Sequence, residues 1–162
     1  MLIKSYKRTY DIDYIILRPT NNYGTHQYPE KFIPVAVKLL SRNKKIRLHN
    51  KGEPIRNWLH VSDTVSAVMT ILKSGTKNEI YNVSGNKEQK NIITAKGIVD
   101  SYFNKKPSSY ENYLDFSYER VGQDVRYSVD DSKLKSLGWN PIGDFDKELS
   151  AAVKFYKKNF VW

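Results

Sequence analysis

The sequence predicts an α/β fold, on three observations. Short apolar runs closed by turn residues alternate with stretches of helical periodicity. The first such run, Tyr14-Ile-Ile-Leu-Arg-Pro19, ends on a proline and reads as a buried strand. Polar, turn-rich chain follows it directly, as at the carboxyl edge of an open α/β sheet, where ligands bind.

The elements follow in order. Leu2, Ile3, Tyr6 and Tyr10 share one helical face, so residues 1 to about 11 read as an amphipathic helix. It has no N-cap and its apolar stripe is already running at Met1, as expected of a longer helix that begins further upstream. After the first strand, Thr20 to Pro29 reads as a loop. A helix from about Lys31 to Arg42 is expected to bury Phe32, Val35, Ala36, Leu39 and Leu40. Ile46–His49 and Ile55–Val61 read as strands joined in hairpin fashion through Asn50-Lys-Gly-Glu-Pro54. Ser62 is the expected cap of a helix from Asp63 to Lys73 that stops at Gly75. Ile80–Val83 reads as a strand and Ile92–Phe103 as a helix. Lys106 to Asp131 reads as irregular, Ser132–Leu137 as a short helix, and about Phe145 to Phe160 as the last helix, with Leu149, Val153 and Tyr156 inward.

Composition narrows the function. With 162 residues, 40% hydrophobic and 27% charged, the chain fits a globular domain or part of a two-domain enzyme. No apolar run could span a bilayer, and the N-terminus lacks a signal-peptide layout, so a cytoplasmic setting without membrane attachment is expected. The absence of cysteine excludes disulfides and thiolate chemistry. The net charge of +10 is dispersed, which favours a solvated surface with one anion site over nucleic-acid binding. His26, His49 and His60 match no metal-ligand spacing. There is no G-x-G-x-x-G and no G-x-S-x-G. Tyr102 and Lys106 have Tyr-x-x-x-Lys spacing, but they fall at a helix end beside Pro107 and read as coincidence.

The richest string runs from Asn21 to Pro34. Paired asparagines offer donors and acceptors to hydroxyls or phosphates, and Gly24 permits a turn. Glu30 and Lys31 are expected to open a helix whose N-terminus favours anions. Arg56 adds a forked donor suited to a diphosphate.

Six blocks carry a family resemblance: Asn21-Asn-Tyr-Gly24, Tyr28-Pro-Glu-Lys-Phe-Ile-Pro34, Ile55-Arg-Asn-Trp-Leu-His-Val-Ser-Asp63, Glu79-Ile-Tyr-Asn-Val-Ser-Gly85, Asp124-Val-Arg-Tyr127 and Leu137-Gly-Trp139. In these the chain resembles the nucleoside-diphosphate-glucose 4,6-dehydratases of the extended short-chain dehydrogenase/reductase group. The resemblance implies a C-terminal substrate-binding lobe plus the last strands and helix of a Rossmann-type domain. Residues 1–19 would be a remnant of the NAD-binding domain. Residues 20–162 would be the nucleotide-sugar-binding portion, with about 80–84 returning to the Rossmann sheet. It further implies NAD as cofactor, a dTDP- or UDP-glucose substrate and a homodimeric parent.

Residue by residue, the resemblance gives Asn21 to substrate and Asn22 to the NAD side. Glu30, Lys31, Phe32, Ile33, Pro34, Val35 and Ala36 fall in a segment lining the nucleotide pocket. Arg47, Leu48 and His49 fall where the base is held, and Arg56 and Arg120 resemble diphosphate clamps. Asn91 falls at another nucleotide contact, with Glu119, Arg120, Gln123 and Tyr127 in and beside the surrounding loop. The catalytic Tyr-x-x-x-Lys and the glycine-rich loop would lie upstream, so the chain alone is expected to be inactive. Arg47-Leu-His49 and Arg120-Val-Gly-Gln123 depart from the usual bacterial pattern and leave the base open between thymine and uracil. A non-catalytic binding module, or part of a related epimerase or decarboxylase, are the other readings.

Overall fold

A computed structural model describes residues 2–85 and 87–159. The helices are α1 (Leu2–Tyr10), α2 (Phe32–Ser41), α3 (Val61–Ser74), α4 (Asn91–Phe103), α5 (Ser132–Lys135) and α6 (Phe145–Lys158). The strands are β1 (Ile15–Pro19), β2 (Asn21–Tyr23), β3 (Ile46–His49), β4 (Ile55–His60), β5 (Glu79–Val83), β6 (Lys87–Lys90), β7 (Leu114–Tyr118) and β8 (Arg126–Tyr127). The fold class is therefore α/β, as the alternation of periods predicts. Met1 and Phe160, placed by the sequence pattern in the first and last helices, lie outside the described residues.

Among the described residues, three small sheets organise the chain. β1 pairs with β5 in parallel, and β3 with β7 in parallel. β4 is the hub of the third, taking β2 and β8 in parallel and β6 antiparallel. Because strand side chains alternate between faces, β4 feeds two separate cores. Trp58 packs with Ile33, Val37, Leu48, Ile98, Leu149 and Val153 beneath α2, α4 and α6. Its neighbour Leu59 joins Ala67, Ile71, Tyr81, Val83, Leu134 and Trp139 between α3, α5 and the β1–β5 pair.

Local chemistry sets the helix ends. The Asp144 side chain accepts from the amides of Asp146 and Lys147 at the start of α6. Asp146 and Glu148 occupy the first turn and Lys157 and Lys158 the last, matching the helix dipole. Asn104 in the left-handed conformation closes α4.

Several sequence expectations need correction. His60, not Ser62, caps α3: its Nδ1 accepts from the Ser62 amide at 3.4 Å. The expected hairpin between β3 and β4 does not form. Asn50, Lys51 and Gly52 all have positive φ and coil into a single 3-10 turn, and the partner of β3 comes from the segment read as irregular. Asn21–Tyr23, read as loop, is a strand. β1 is only half-buried, because among the described residues β5 is its one pairing partner. α2 begins at Phe32 and buries Ile33, Pro34 and Val37 in place of Phe32, Val35 and Leu39, which are half-buried, because it packs against both α4 and α6.

α1 buries none of its residues, and Leu2, Ile3, Tyr6 and Tyr10 are exposed. It is tied down through Asp13, which pairs with Lys7 at 2.9 Å and Lys77 at 2.8 Å and accepts from Asn78 Nδ2 at 3.1 Å. The hydrogen bonds from Lys77, Lys7 and Asn78 hold the Asp13 carboxyl well below the ordinary aspartate range. Its folded pKa thus lies below its unfolded value. The tie is at full strength above about pH 4 and is lost as pH falls through the folded pKa. Asp13→Asn is expected to raise amide exchange across α1 at neutral pH. Equal exchange in the two proteins at neutral pH contradicts the tie.

Candidate functional site

The alternation along β4 builds the site. Arg56, Trp58 and His60 share one face of the strand. Register adds Asn21 beside Trp58 and Tyr23 beside His60 from β2, and Tyr127 beside Arg56 from β8. The other face carries Asn57 and Leu59 toward the second core.

A cleft of about 170 Å³ opens at the Arg56 end of this row. Asn21, Arg56 and Trp58 form its floor, and Arg47, Leu48 and His49 enter from β3. Phe32 comes from the start of α2, Asn91 from the start of α4, and Gln123 from the loop after β7. Arg47 stacks on the Tyr118 ring, 5.1 Å from its centroid, and His49 meets the same ring edge-on at 6.1 Å. Arg56 Nη1 donates to the carbonyls of Ile55 at 2.7 Å and Asp124 at 3.0 Å, which pins the Gln123 loop against β4. No carboxylate lines the cleft among the described residues. Two guanidinium groups and the N-terminus of α4 make it a site for an anion, and the amides of Asn21, Asn91 and Gln123 suit a polar neutral group.

Two polar atoms at this cleft have no hydrogen-bond partner, Trp58 Nε1 and Gln123 Oε1. A buried group left unpaired costs about 1–3 kcal/mol, and native folds keep few of them. Trp58 is the site residue that the sequence reading missed. The signal that finds it is the period of two from Arg56 to His60.

The remaining candidates sit elsewhere. Glu119 and Arg120 line a neighbouring hollow of about 480 Å³ with Asn50 and Lys51, and Gln123 borders both. Arg120 is therefore not in the same cavity as Arg56. Its backbone is held by Asn50, whose Oδ1 accepts from the Arg120 amide at 2.8 Å and whose Nδ2 donates to the Arg120 carbonyl at 3.2 Å. Glu30 and Lys31 are both exposed; Lys31 is the N-cap of α2, its carbonyl accepting from the Val35 amide at 2.9 Å, and Glu30 lies one residue ahead of it. Ile33, Pro34 and Ala36 are buried beneath α2 and Val35 is half-buried, so within that segment Phe32 alone lines the cleft. Tyr127 is exposed on β8.

A second cavity of about 160 Å³ lies on the other side of Trp58, lined by Tyr23, His60, Asp63, Lys87 and Glu148 among others. Tyr23, His60, Asp63 and Glu148 there all find hydrogen-bond partners within the fold. Tyr23 donates to Glu148 Oε2 at 2.7 Å, and burial with that bond pushes the phenol upward. Asp63 accepts from the amides of Ile142 and Gly143, both at 3.2 Å. This cluster reads as structural. The Tyr102 and Lys106 pair does not share a helix, since α4 ends at Phe103 and Lys157 Nζ donates to the Tyr102 carbonyl at 2.8 Å. No group of three potential metal ligands occurs among the described residues, and no helix there is long and apolar enough to cross a membrane.

Comparison with known proteins places this geometry. Residues 1–84 match the NAD dependent epimerase/dehydratase family. The chain belongs to that family. It is 34% identical over 165 residues to dTDP-glucose 4,6-dehydratase 1 of Escherichia coli K12, covering 99% of this chain and 45% of the relative. The crystal structure of dTDP-glucose 4,6-dehydratase from Bacillus anthracis in complex with NAD superposes with a TM-score of 0.86 at 34% identity, covering 100% of this chain and 50% of that one. The Streptomyces venezuelae enzyme with NAD and TYD bound gives 0.85 at 32% identity, covering 96% and 47%. The chain thus spans about half the length of the relatives it matches.

The family is NAD-dependent. Within this chain the residue assigned to the NAD side, Asn22, has its amide engaged internally. Nδ2 donates to the Thr20 carbonyl at 3.1 Å, and Oδ1 accepts from the Thr64 hydroxyl. It lies on the face of β2 opposite Asn21 and the cleft. The sequence carries no glycine-rich phosphate loop.

Proposed function

We propose that this chain is the nucleotide-sugar-holding part of an NAD-dependent nucleoside-diphosphate-glucose 4,6-dehydratase. The observation that carries the reading is the cleft on β4, cationic through Arg47 and Arg56, amide-lined and free of carboxylates. Such a lining suits a diphosphate joined to a polar neutral group. The identity to 4,6-dehydratases over nearly the whole chain supports that reaction class over the epimerases of the same family.

In this reading Arg56 holds the diphosphate, Asn21 faces the sugar side, and Arg47 and His49 with Tyr118 frame the base. Arg120 acts from the neighbouring hollow. The chain contributes grip and orientation. Most of the NAD contacts, and the groups that would move protons and hydride, belong to a Rossmann half that these residues do not supply. Residues 1–19 and β5 are the share of that layer carried here, and the second core extends it through α3 and α5. The exposed apolar face of α1 suits a dimer contact in the parent.

Two measurements test the reading. Incubated with NAD and dTDP- or UDP-glucose, the isolated chain is expected to release no 4-keto-6-deoxy sugar, and release would overturn the assignment of catalysis to a separate half. Titration calorimetry with dTDP and UDP is expected to show micromolar binding to the cleft. Heat-silent titrations with both would remove the binding role from the isolated chain.

A further inference from the structure

Trp58 stands between the two cavities, 5% exposed, with its indole Nε1–H lacking an acceptor. Gln123, from the loop after β7, also lines the cleft, and its Oε1, a carbonyl acceptor, is equally unpartnered. One is an N–H donor and the other an oxygen acceptor. A buried donor and a buried acceptor on two residues that line one cleft, with no partner for either, are complementary to a ligand group that both accepts and donates. The other two tryptophan and amide positions in the neighbourhood behave differently. Trp139 Nε1 is satisfied by Ser66 Oγ at 2.8 Å, and the buried Asn57 amide is bonded to Thr20 and Gly85. Of the two tryptophans among the described residues, Trp58 is the one whose indole is unpaired.

We propose that Trp58 is a specificity-determining residue. Its Nε1–H donates to an oxygen of the bound nucleotide, while Gln123 Oε1 accepts from a hydroxyl or imide N–H of the same ligand. A fully ionised pyrophosphate can satisfy Trp58 but has no hydrogen to give Gln123. Ribose hydroxyls and the imide edge of a pyrimidine can serve both. The pair therefore selects a nucleoside-bearing diphosphate over the bare anion, whose charge Arg56 alone would hold. Both atoms are closed off from water, so in this proposal the ligand reaches them when the 119–124 loop yields at the bonds of Arg56 to Asp124 and of Asn50 to Arg120. This inference rests on the cleft being the nucleotide site.

The experiment follows the tryptophan indole N–H resonances of the ¹⁵N-labelled full chain during titration with UDP, ribose 5-phosphate and pyrophosphate. Trp139 serves as the internal reference. UDP is expected to shift the Trp58 signal and leave Trp139 in place. A matching shift with ribose 5-phosphate assigns the hydroxyl as the partner, and a shift with UDP alone assigns the imide edge. Trp58→Phe keeps the ring and removes the donor. It is expected to weaken UDP about tenfold while pyrophosphate changes less than about twofold. Gln123→Met is expected to show the same selectivity. If UDP binds with the Trp58 signal unmoved, or if Trp58→Phe weakens both ligands equally, the proposal is wrong and the nucleotide cleft stands. If calorimetry on the same sample shows no UDP binding at all, the nucleotide reading of the cleft falls, and this proposal with it. The wild-type shifts decide the matter should either variant fail to fold.

Discussion

Gly85→Ala is expected to destroy the cooperative fold of the chain. An added Cβ would lie 1.7 Å from the Trp58 carbonyl oxygen, 2.6 Å from the Trp58 carbonyl carbon and 2.9 Å from Leu59 Cα. All three are backbone atoms, so no side-chain rotation relieves the clash, and β4 itself must move. Movement is resisted from both directions. The Asn57 amide grips Gly85, with Oδ1 accepting from its N–H at 2.8 Å and Nδ2 donating to its carbonyl at 3.1 Å. The same Oδ1 accepts from the Thr20 hydroxyl at 2.9 Å, so the clamp reaches the junction of β1 and β2. β4 is also the wall between the two cores, through Trp58 and Leu59. A loss above about 4 kcal/mol is expected, a large share of the 5–15 kcal/mol typical of a domain. In thermal denaturation this is a fall of roughly 10–15 °C or more, or no cooperative transition. Gly122, where an added Cβ meets nothing within 4 Å, provides the control. Its φ of +72° limits the cost of alanine there to backbone strain, about 1 kcal/mol. Gly85→Ala melting within about 3 °C of wild type would show that β4 is not the rigid wall described.

Elements with strong apolar periodicity were legible in the sequence, and those held by tertiary pairing were not. α1 and α6 follow from the spacing of Leu2, Ile3, Tyr6 and Tyr10 and of Leu149, Val153 and Tyr156, and the end of α3 from Gly75. β6 is Lys87-Glu-Gln-Lys90, with no apolar residue at all, and exists because β4 offers it an edge. β7 sits in a polar, aromatic stretch and forms because β3 needs a parallel partner once the 3-10 turn has carried the chain away from a hairpin. The cap of α3 was misplaced by two residues. Ser62 has the commoner capping side chain, but the strand ends at His60, one residue short of the expected Val61, and the His60 imidazole reaches the Ser62 amide.

The candidate site was legible in two different ways. Arg56 has a physical reason in the sequence itself, as a forked donor, and it lines the cleft. Arg47, Leu48, His49, Asn91 and Gln123 came from family resemblance alone, yet they converge with Arg56 on one hollow from four separate elements. No local pattern could bring them together, because β3, β4, α4 and the loop after β7 meet only in three dimensions. The resemblance was least informative where it treated a run of residues as a block. Within 31–36 a helix turns about 100° per residue, so neighbouring side chains point to different places. Phe32 reaches the cleft, whereas Ile33 and Ala36 fill the core. The same alternation on a strand separates Asn21 from Asn22 and brings Trp58 beside Arg56.

Arg56→Met is expected to weaken dTDP and UDP by about a hundredfold or more while leaving a free nucleoside almost untouched. Arg56 is half-buried, and only its Nη1 is committed to the carbonyls of Ile55 and Asp124. A guanidinium has five N–H donors in a fixed fork, so donors remain for a second acceptor. Charge-assisted hydrogen bonds contribute about 1.5–3 kcal/mol each, and two of them convert to at least two decades in Kd. Methionine keeps the stem and its packing and removes the charge and the fork. Lysine at this position is expected to recover part of the loss, as a point charge without bidentate geometry. The decisive comparison is between UDP and uridine. If Arg56 holds the diphosphate, uridine binding changes less than about threefold and the UDP advantage disappears. If instead its chief role is to pin the Gln123 loop through the Asp124 carbonyl, the base-side contacts fail together with the phosphate contacts, and UDP and uridine weaken by the same factor. Calorimetry on the two ligands separates these outcomes, and the second would move the diphosphate away from β4.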